Sequence, residues 1–215
     1  MHINTSSIEG RRRARSRYMA LLASVSVLSV AAAAAPTLAG AANDGPVVST
    51  VDGSVRGYAD KGVNVFLGIP YAAPPVGKLR WQPPASAKKW KGTLDATHFG
   101  NTCPQVTELG AFAGPSSTSE DCLYLNVFTT GGSGNGKKKP VIVWIHGGGN
   151  IDGETNDYDA SKLATGGPSG VPTVVVTLNY RLGILGFFSH ASINGEGHLW
   201  GNYGILDQQA ALRWV

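Results

Sequence analysis

Short stretches in which apolar and polar residues alternate occupy the first part of the folded region, and unbroken apolar runs follow them. Residues 46–58 hold two β-prone segments, Val-Val-Ser-Thr-Val and Ser-Val-Arg-Gly-Tyr, on either side of Asp52-Gly53. Asp-Gly tolerates the positive φ angles of a tight turn, so this stretch predicts an antiparallel hairpin. Residues 64–69 and 122–128 predict further strands, and 70–84, punctuated by proline and glycine, predict a long irregular surface segment. No clean periodicity runs through 85–119, and 131–139 read as a polar connector. Val141-Ile142-Val143-Trp144-Ile145 is almost wholly apolar, as expected of a strand buried on both faces of a central sheet, and 173–178 repeat the pattern. Residues 159–164 predict a short helix between those two strands, which makes a strand–helix–strand crossover. Residues 204–215 predict another helix, with Ile205, Leu206, Ala210, Leu212 and Trp214 on its apolar side and no cap at its end. The expectation is an α/β fold in which an N-terminal antiparallel hairpin leads into a mostly parallel central sheet with flanking helices. It occupies 46–215 as one unfinished domain.

The first forty residues follow a different pattern. Arg11, Arg12, Arg13, Arg15 and Arg17 precede an uncharged, Ala-rich run over 18–42 that ends with the small residues Ala39-Gly40-Ala41. Basic, apolar and small residues in that order predict a cleaved secretory signal over 1–41. A retained membrane anchor fits less well, because the run is weakly hydrophobic and broken by Pro36. No stable membrane association is therefore expected after cleavage. The paired arginines give no convincing twin-arginine signal.

Removing 1–41 takes away five arginines and one glutamate, so the formal net charge falls from +4 to zero. The basic balance belongs to the leader. What remains, Lys88-Lys89 with Lys91 and the run Lys137-Lys138-Lys139, lacks the clustered charge of a nucleic-acid surface. The composition, 42% apolar and 15% charged, is that of a folded globular chain rather than a disordered one. Cys103 and Cys122 are the only cysteines. An exported protein meets an oxidising compartment, so a disulfide between them is expected, with two free buried thiols as the alternative.

Candidate chemistry gathers at His146-Gly147-Gly148-Gly149, where the first apolar run ends. Ligands of α/β folds bind beyond the carboxyl ends of such strands. Glycine there accepts unusual backbone angles and, having no side chain, lets a carbonyl approach the amide hydrogens. Such amides can form an oxyanion hole, although three glycines also suit a plain tight turn. A dinucleotide site is disfavoured, since the segment beginning at Gly147 lacks the third glycine of that fingerprint. No His, Cys or paired carboxylate lies at ligand spacing around His146, which reads as a positioning residue; no metal or organic cofactor is expected.

Taken together, several segments resemble the type-B carboxylesterase and cholinesterase family, an α/β-hydrolase group. They are Gly68-Ile69-Pro70-Tyr71-Ala72 with Pro74-Pro75-Val76-Gly77 and Leu79-Arg80-Trp81, then Ser119-Glu120-Asp121-Cys122-Leu123-Tyr124-Leu125-Asn126. The strand and glycines of 140–149, Asn179-Tyr180-Arg181-Leu182-Gly183, and Gly201-Asn202-Tyr203-Gly204 with Leu206-Asp207-Gln208 follow in the family's order. The resemblance implies an α/β-hydrolase fold and small-molecule carboxylic esters as substrates. It implies that Gly148 and Gly149 donate oxyanion amides and that Cys103 and Cys122 form the family's first disulfide.

Two departures stand out. Asn150 occupies a position where many members carry an aromatic residue, and no serine here sits in a Gly-x-Ser-x-Gly elbow. The family's nucleophile, acid and histidine come later than Val215, so His98, His190 and His198 are not candidates to replace them. The expected function of the full-length protein is ester hydrolysis through an acyl-serine, with the 215 residues alone inactive and poorly folded. A non-catalytic esterase-like binding or adhesion protein is the alternative.

Overall fold

The computed structural model describes residues 45–110, 113–131 and 138–215. The leader expected over 1–41 and most of the connector lie outside them. In chain order the elements are β1 (Val47–Ser49), β2 (Ser54–Arg56), β3 (Tyr58–Asp60), β4 (Val63–Pro70), β5 (Thr93–Asp95), β6 (Tyr124–Thr130), β7 (Val141–Ile145), α1 (Ser161–Ala164), β8 (Val174–Leu178), α2 (Gly183–Phe187), α3 (Ala191–Asn194) and α4 (Tyr203–Trp214).

The expected hairpin forms. β1 pairs antiparallel with β2, and the Thr50 N–H and hydroxyl both donate to the Gly53 carbonyl, closing the turn. β2 then pairs in parallel with β5, a strand that the aperiodic stretch 85–119 does not announce.

The second sheet has the order β3-β4-β6-β8-β7. It is mixed: β3–β4, β4–β6 and β6–β8 are antiparallel, and β7–β8 is the parallel pair. The expected parallel character is thus confined to the end that carries the glycine motif. Connection length accounts for two of these pairs, because a parallel neighbour needs a crossover of about a dozen residues or more. Only Lys61 and Gly62 separate β3 from β4, whereas the chain from His146 through α1 to Thr173 links β7 to β8.

Alternation along the strands divides the core between the two faces of this sheet. Val176 and Leu178 pack with Ile69, Leu125, Tyr180 and Ala211, whereas Val175 packs with Val63, Val65, Phe128 and Ala164 of α1. β8, with a partner on each side, is buried on both faces as its composition predicts. β7 is not, although its composition is equally apolar: Val141 is 52% and Trp144 42% exposed. Among the described residues it has one neighbour, β8, and stands at the sheet edge. Composition reports what a strand could bury; its place in the sheet decides what it does bury. The Pro-rich segment 70–84 also departs from expectation, because Tyr71 and Ala72 are buried and the Tyr71 hydroxyl donates to the Asn179 carbonyl at 2.7 Å.

The last helix matches its expected apolar side only in part, with Ala210 and Trp214 packed against the core. Ile205 and Leu212 are exposed, and the inward stripe is Tyr203, Asp207 and Ala211, spaced four residues apart, with Gly204 beside it. Asp207 decides this rotation. Its carboxylate accepts from the Arg181 backbone N–H (3.1 Å), Nε (2.8 Å) and Nη2 (2.7 Å), and both side chains are almost fully enclosed. Burial pushes the Asp207 carboxyl up against the opposing pull of those three donors. The guanidinium also lies over the Tyr203 ring, 5.3 Å from its centre.

Two outcomes follow from this packing. In the full-length gene product, Asp207→Ala leaves a buried guanidinium unpaired and is expected to lower unfolding free energy by about 3–5 kcal/mol in urea titrations. A change below about 1 kcal/mol would show that the pair does not anchor α4. Produced as residues 1–215 alone, the protein is expected to bind an apolar dye through the β7 face; a cooperative melt without dye binding would contradict this.

Candidate active site

β7 ends at Ile145, and the chain turns through His146, Gly147, Gly148, Gly149 and Asn150. Gly148 (φ 118°), Gly149 (φ 61°) and Asn150 (φ 61°) form three consecutive residues with positive φ. Only glycine adopts such angles without strain, and asparagine is among the few other residues that tolerate the left-handed region. The Gly148 carbonyl accepts from the N–H groups of Ile151 (3.0 Å) and Asp152 (3.3 Å), folding the loop back so tightly that a Cβ on Gly148 would overlap the Asp152 carbonyl oxygen. Among the described residues, the N–H groups of Gly148 and Gly149 have no hydrogen-bond acceptor within the chain. Gly149 and Asn150 are exposed.

The loop rests on the segment that follows β8. The Tyr180 ring stacks on the His146 imidazole, with centroids 4.6 Å apart. Its hydroxyl donates to the His146 carbonyl at 3.0 Å, with Asn150 Oδ1 a second acceptor at 3.3 Å. The Gly183 N–H donates to the Asn150 carbonyl at 2.7 Å, and Asn179 Oδ1 accepts from the Thr155 N–H at 2.8 Å. His146 is itself buried. Its Nδ1 donates to the Gly147 carbonyl at 2.9 Å, which places the proton on Nδ1, and burial lowers the ring's pKa. Nε2 is buried without a partner among the described residues, and the ring packs beneath the loop against Tyr180.

The structure brings the predicted site residues 146–150 into one turn, with His146 buried and Gly147, Gly149 and Asn150 exposed. Asn150, singled out for lacking an aromatic ring, supplies a left-handed backbone angle and two hydrogen-bond acceptors. Cys103 and Cys122 are buried and disulfide-bonded. A cleft of about 560 Å³ opens beside the turn, between Gln105 and Val106 of the disulfide-closed loop and Ile151, Leu182 and Ile184. Among the described residues the other histidines serve local structure or stay exposed: His198 pairs with Glu196 at 3.0 Å, His190 caps α3 by accepting from the Ser192 N–H, and His98 lies at the surface. No cluster of three metal-binding side chains occurs among the described residues.

Sequence reasoning missed the acids behind the glycines. Asp152 is fully buried, and its Oδ2 accepts from the N–H groups of Glu108 (2.8 Å) and Leu109 (2.9 Å). Glu154, also buried, accepts from the Thr102 hydroxyl and from Asn156 Nδ2, and burial raises its pKa against those two donors. No spacing or periodicity marks either acid, because Glu108, Leu109 and Thr102, which bond to them, lie more than forty residues earlier.

Comparison with known proteins bears on this site. The Carboxylesterase family profile matches residues 44–215. The chain is 46% identical over 186 residues to the medium-chain fatty acyl-CoA hydrolase precursor of Anas platyrhynchos, covering 79% of this chain and 32% of that protein. It is 45% identical over 173 residues to the para-nitrobenzyl esterase of Bacillus subtilis, covering 79% and 34%. A solved PNB esterase structure superposes with a TM-score of 0.70 at 43% identity, over 79% of this chain and 34% of that one. The chain therefore spans about a third of the length of these relatives. With a profile match along its described length and an α/β-hydrolase neighbour that shares its backbone, the chain belongs to the carboxylesterase family.

Proposed function

We propose that the full-length protein hydrolyses small-molecule carboxylic esters through an acyl-serine intermediate, without metal or organic cofactor, and that Gly148 and Gly149 supply its oxyanion amides. The observation that carries this reading is the pair of unpaired N–H groups on a glycine turn at the carboxyl end of a parallel strand. In acyl transfer, attack on the ester carbonyl moves charge onto its oxygen. Donors already aimed at that oxygen stabilise the charge without reorganising, at about 3 kcal/mol for one donor in a comparable site. With no side chain on either glycine, the carbonyl can reach those donors. The nucleophile, its histidine and the orienting acid would come from the continuation past residue 215. We also propose export, supported by the basic-apolar-small pattern of the leader and by the buried Cys103–Cys122 bridge. No helix among the described residues is long and apolar enough to cross a membrane.

The deciding test is to read the transcript past codon 215 and assay the full-length product on p-nitrophenyl esters. A Gly-x-Ser-x-Gly elbow and hydrolysis are expected, with Gly148→Ala lowering kcat about 100-fold or more. A stop codon, or an elbow without its serine, would favour a non-catalytic binding or adhesion protein instead.

The glycine loop also sets a pH dependence. Burial lowers the His146 pKa below the ordinary 6.5, so the folded state takes up a proton there less readily than the unfolded chain does. Stability from this group is full above the unfolded value and is lost as pH falls through it toward the lowered folded value. His146→Gln is expected to flatten the decline of the urea midpoint below pH 6.5; an unchanged slope would mean the ring titrates freely.

A further inference from the structure

We propose that Asp152 is a positioning residue for the glycine turn: its buried carboxyl ties the turn to the disulfide-closed loop and so sets the direction of the Gly148 and Gly149 N–H groups. The catalytic consequence rests on the ester-hydrolase reading above; the tether itself does not.

The argument starts from a costly placement. Asp152 is completely enclosed, and a buried carboxyl is tolerated only where it is well bonded. One of its oxygens, Oδ2, accepts from two successive backbone N–H groups, those of Glu108 and Leu109. The other, Oδ1, is buried with no partner among the described residues, so the whole fixing of the side chain passes through Oδ2. Those two bonds reach across 43 and 44 residues of sequence to a loop whose ends are held by Cys103 and Cys122. A second tie runs beside the first, because the Gly153 N–H donates to Gln105 Oε1 at 2.8 Å. Gln105 is in turn fixed by Nε2 donating to the carbonyls of Ala113 and Pro115, and by backbone pairing with Ser117.

The other end of the tether reaches the glycines directly. The Asp152 N–H donates to the Gly148 carbonyl, and its own carbonyl lies where a Gly148 Cβ would be. The Gly148–Gly149 peptide plane, which carries the Gly149 N–H, therefore cannot rotate without moving Asp152, the Asp152 carbonyl packed against Gly148 confines the residue itself, and Asp152 cannot move without breaking its bonds to Glu108 and Leu109. Positional rigidity matters here, since a 1 Å misplacement of a catalytic group can cost about 100-fold in rate. The charge works in the opposite direction. A negative carboxyl beside Gly148 disfavours a developing oxyanion, so the value of Asp152 lies in its geometry. Asparagine, whose Oδ1 can also accept two N–H bonds, should keep that geometry without the charge.

The test uses the full-length gene product. Asp152→Ala is expected to lower kcat for a p-nitrophenyl ester about 10- to 100-fold with KM changed less than about 3-fold, and to weaken a trifluoromethyl ketone, which binds as a tetrahedral adduct, by the same factor as kcat. Asp152→Asn is expected to restore both. Amide hydrogen exchange, read by mass spectrometry, should rise together in the peptides covering 105–110 and 146–153 in Asp152→Ala and return toward wild type in Asp152→Asn. Should Asp152→Ala fail to fold, Glu108→Pro carries the test, because it deletes one of the two donors at an exposed position and leaves Asp152 in place. An unchanged kcat with unchanged exchange at 146–153 in either folded variant overturns the proposal, as does a kcat loss that asparagine leaves unrescued. Wild-type protein without ester hydrolysis sinks the functional reading instead, and the exchange experiment alone then decides the tether.

Discussion

A folded chain pairs nearly all of its backbone hydrogen-bonding groups, and a turn that leaves N–H groups open must be held by something other than those groups. Here that constraint governs everything around 146–150. Several neighbouring groups are bonded: the His146 carbonyl by Tyr180, the Gly148 carbonyl by Ile151 and Asp152, the Asn150 carbonyl by Gly183, and the Gly153 N–H by Gln105. The Gly148 and Gly149 amides stay open while these groups around them are held. Positive φ at three consecutive residues turns them outward, and only glycine and asparagine take those angles at low cost.

The segment that supports the turn also anchors the last helix. Beyond β8 the side chains keep alternating, so Tyr180 reaches the His146 ring while Arg181, on the opposite side, reaches Asp207 of α4. Five residues, Asn179 to Gly183, thus fix the glycine turn and the helix that follows in one piece. A buried ion pair adds little net stability compared with apolar residues of the same shape, but it permits few alternative arrangements. Here it holds a helix rotation that seats Ala210 and Trp214 against the core and leaves Ile205 and Leu212 outside.

Most strands were legible in the sequence, because alternation and apolar runs reflect backbone geometry directly. The hairpin at Asp52-Gly53, β4, β6, β7 and β8 all lie within two residues of the expected positions. What the pattern could not give was neighbourhood. Val141–Ile145 and Val174–Leu178 read alike, yet one is an edge and the other a centre. β5 escaped notice because a three-residue strand carries too little alternation to register. At the site, the glycines announced themselves through their rarity in such a cluster, and His146 through its place beside them. Asp152, Gln105 and Glu154 did not, since a residue bonded to a partner more than forty positions away leaves no local trace.

The strand order has a consequence for synthesis. β7 leaves the ribosome before β8, yet in the finished sheet β8 lies between β6 and β7. Nearest in sequence to β7 is β6, and the two never touch in the native ladder. A nascent chain must therefore hold an apolar five-residue strand unpaired while the whole crossover is made, resisting a local hairpin with β6 that would be quicker to close. During that interval the segment that will position the glycines is the one most open to off-pathway pairing and to capture by chaperones.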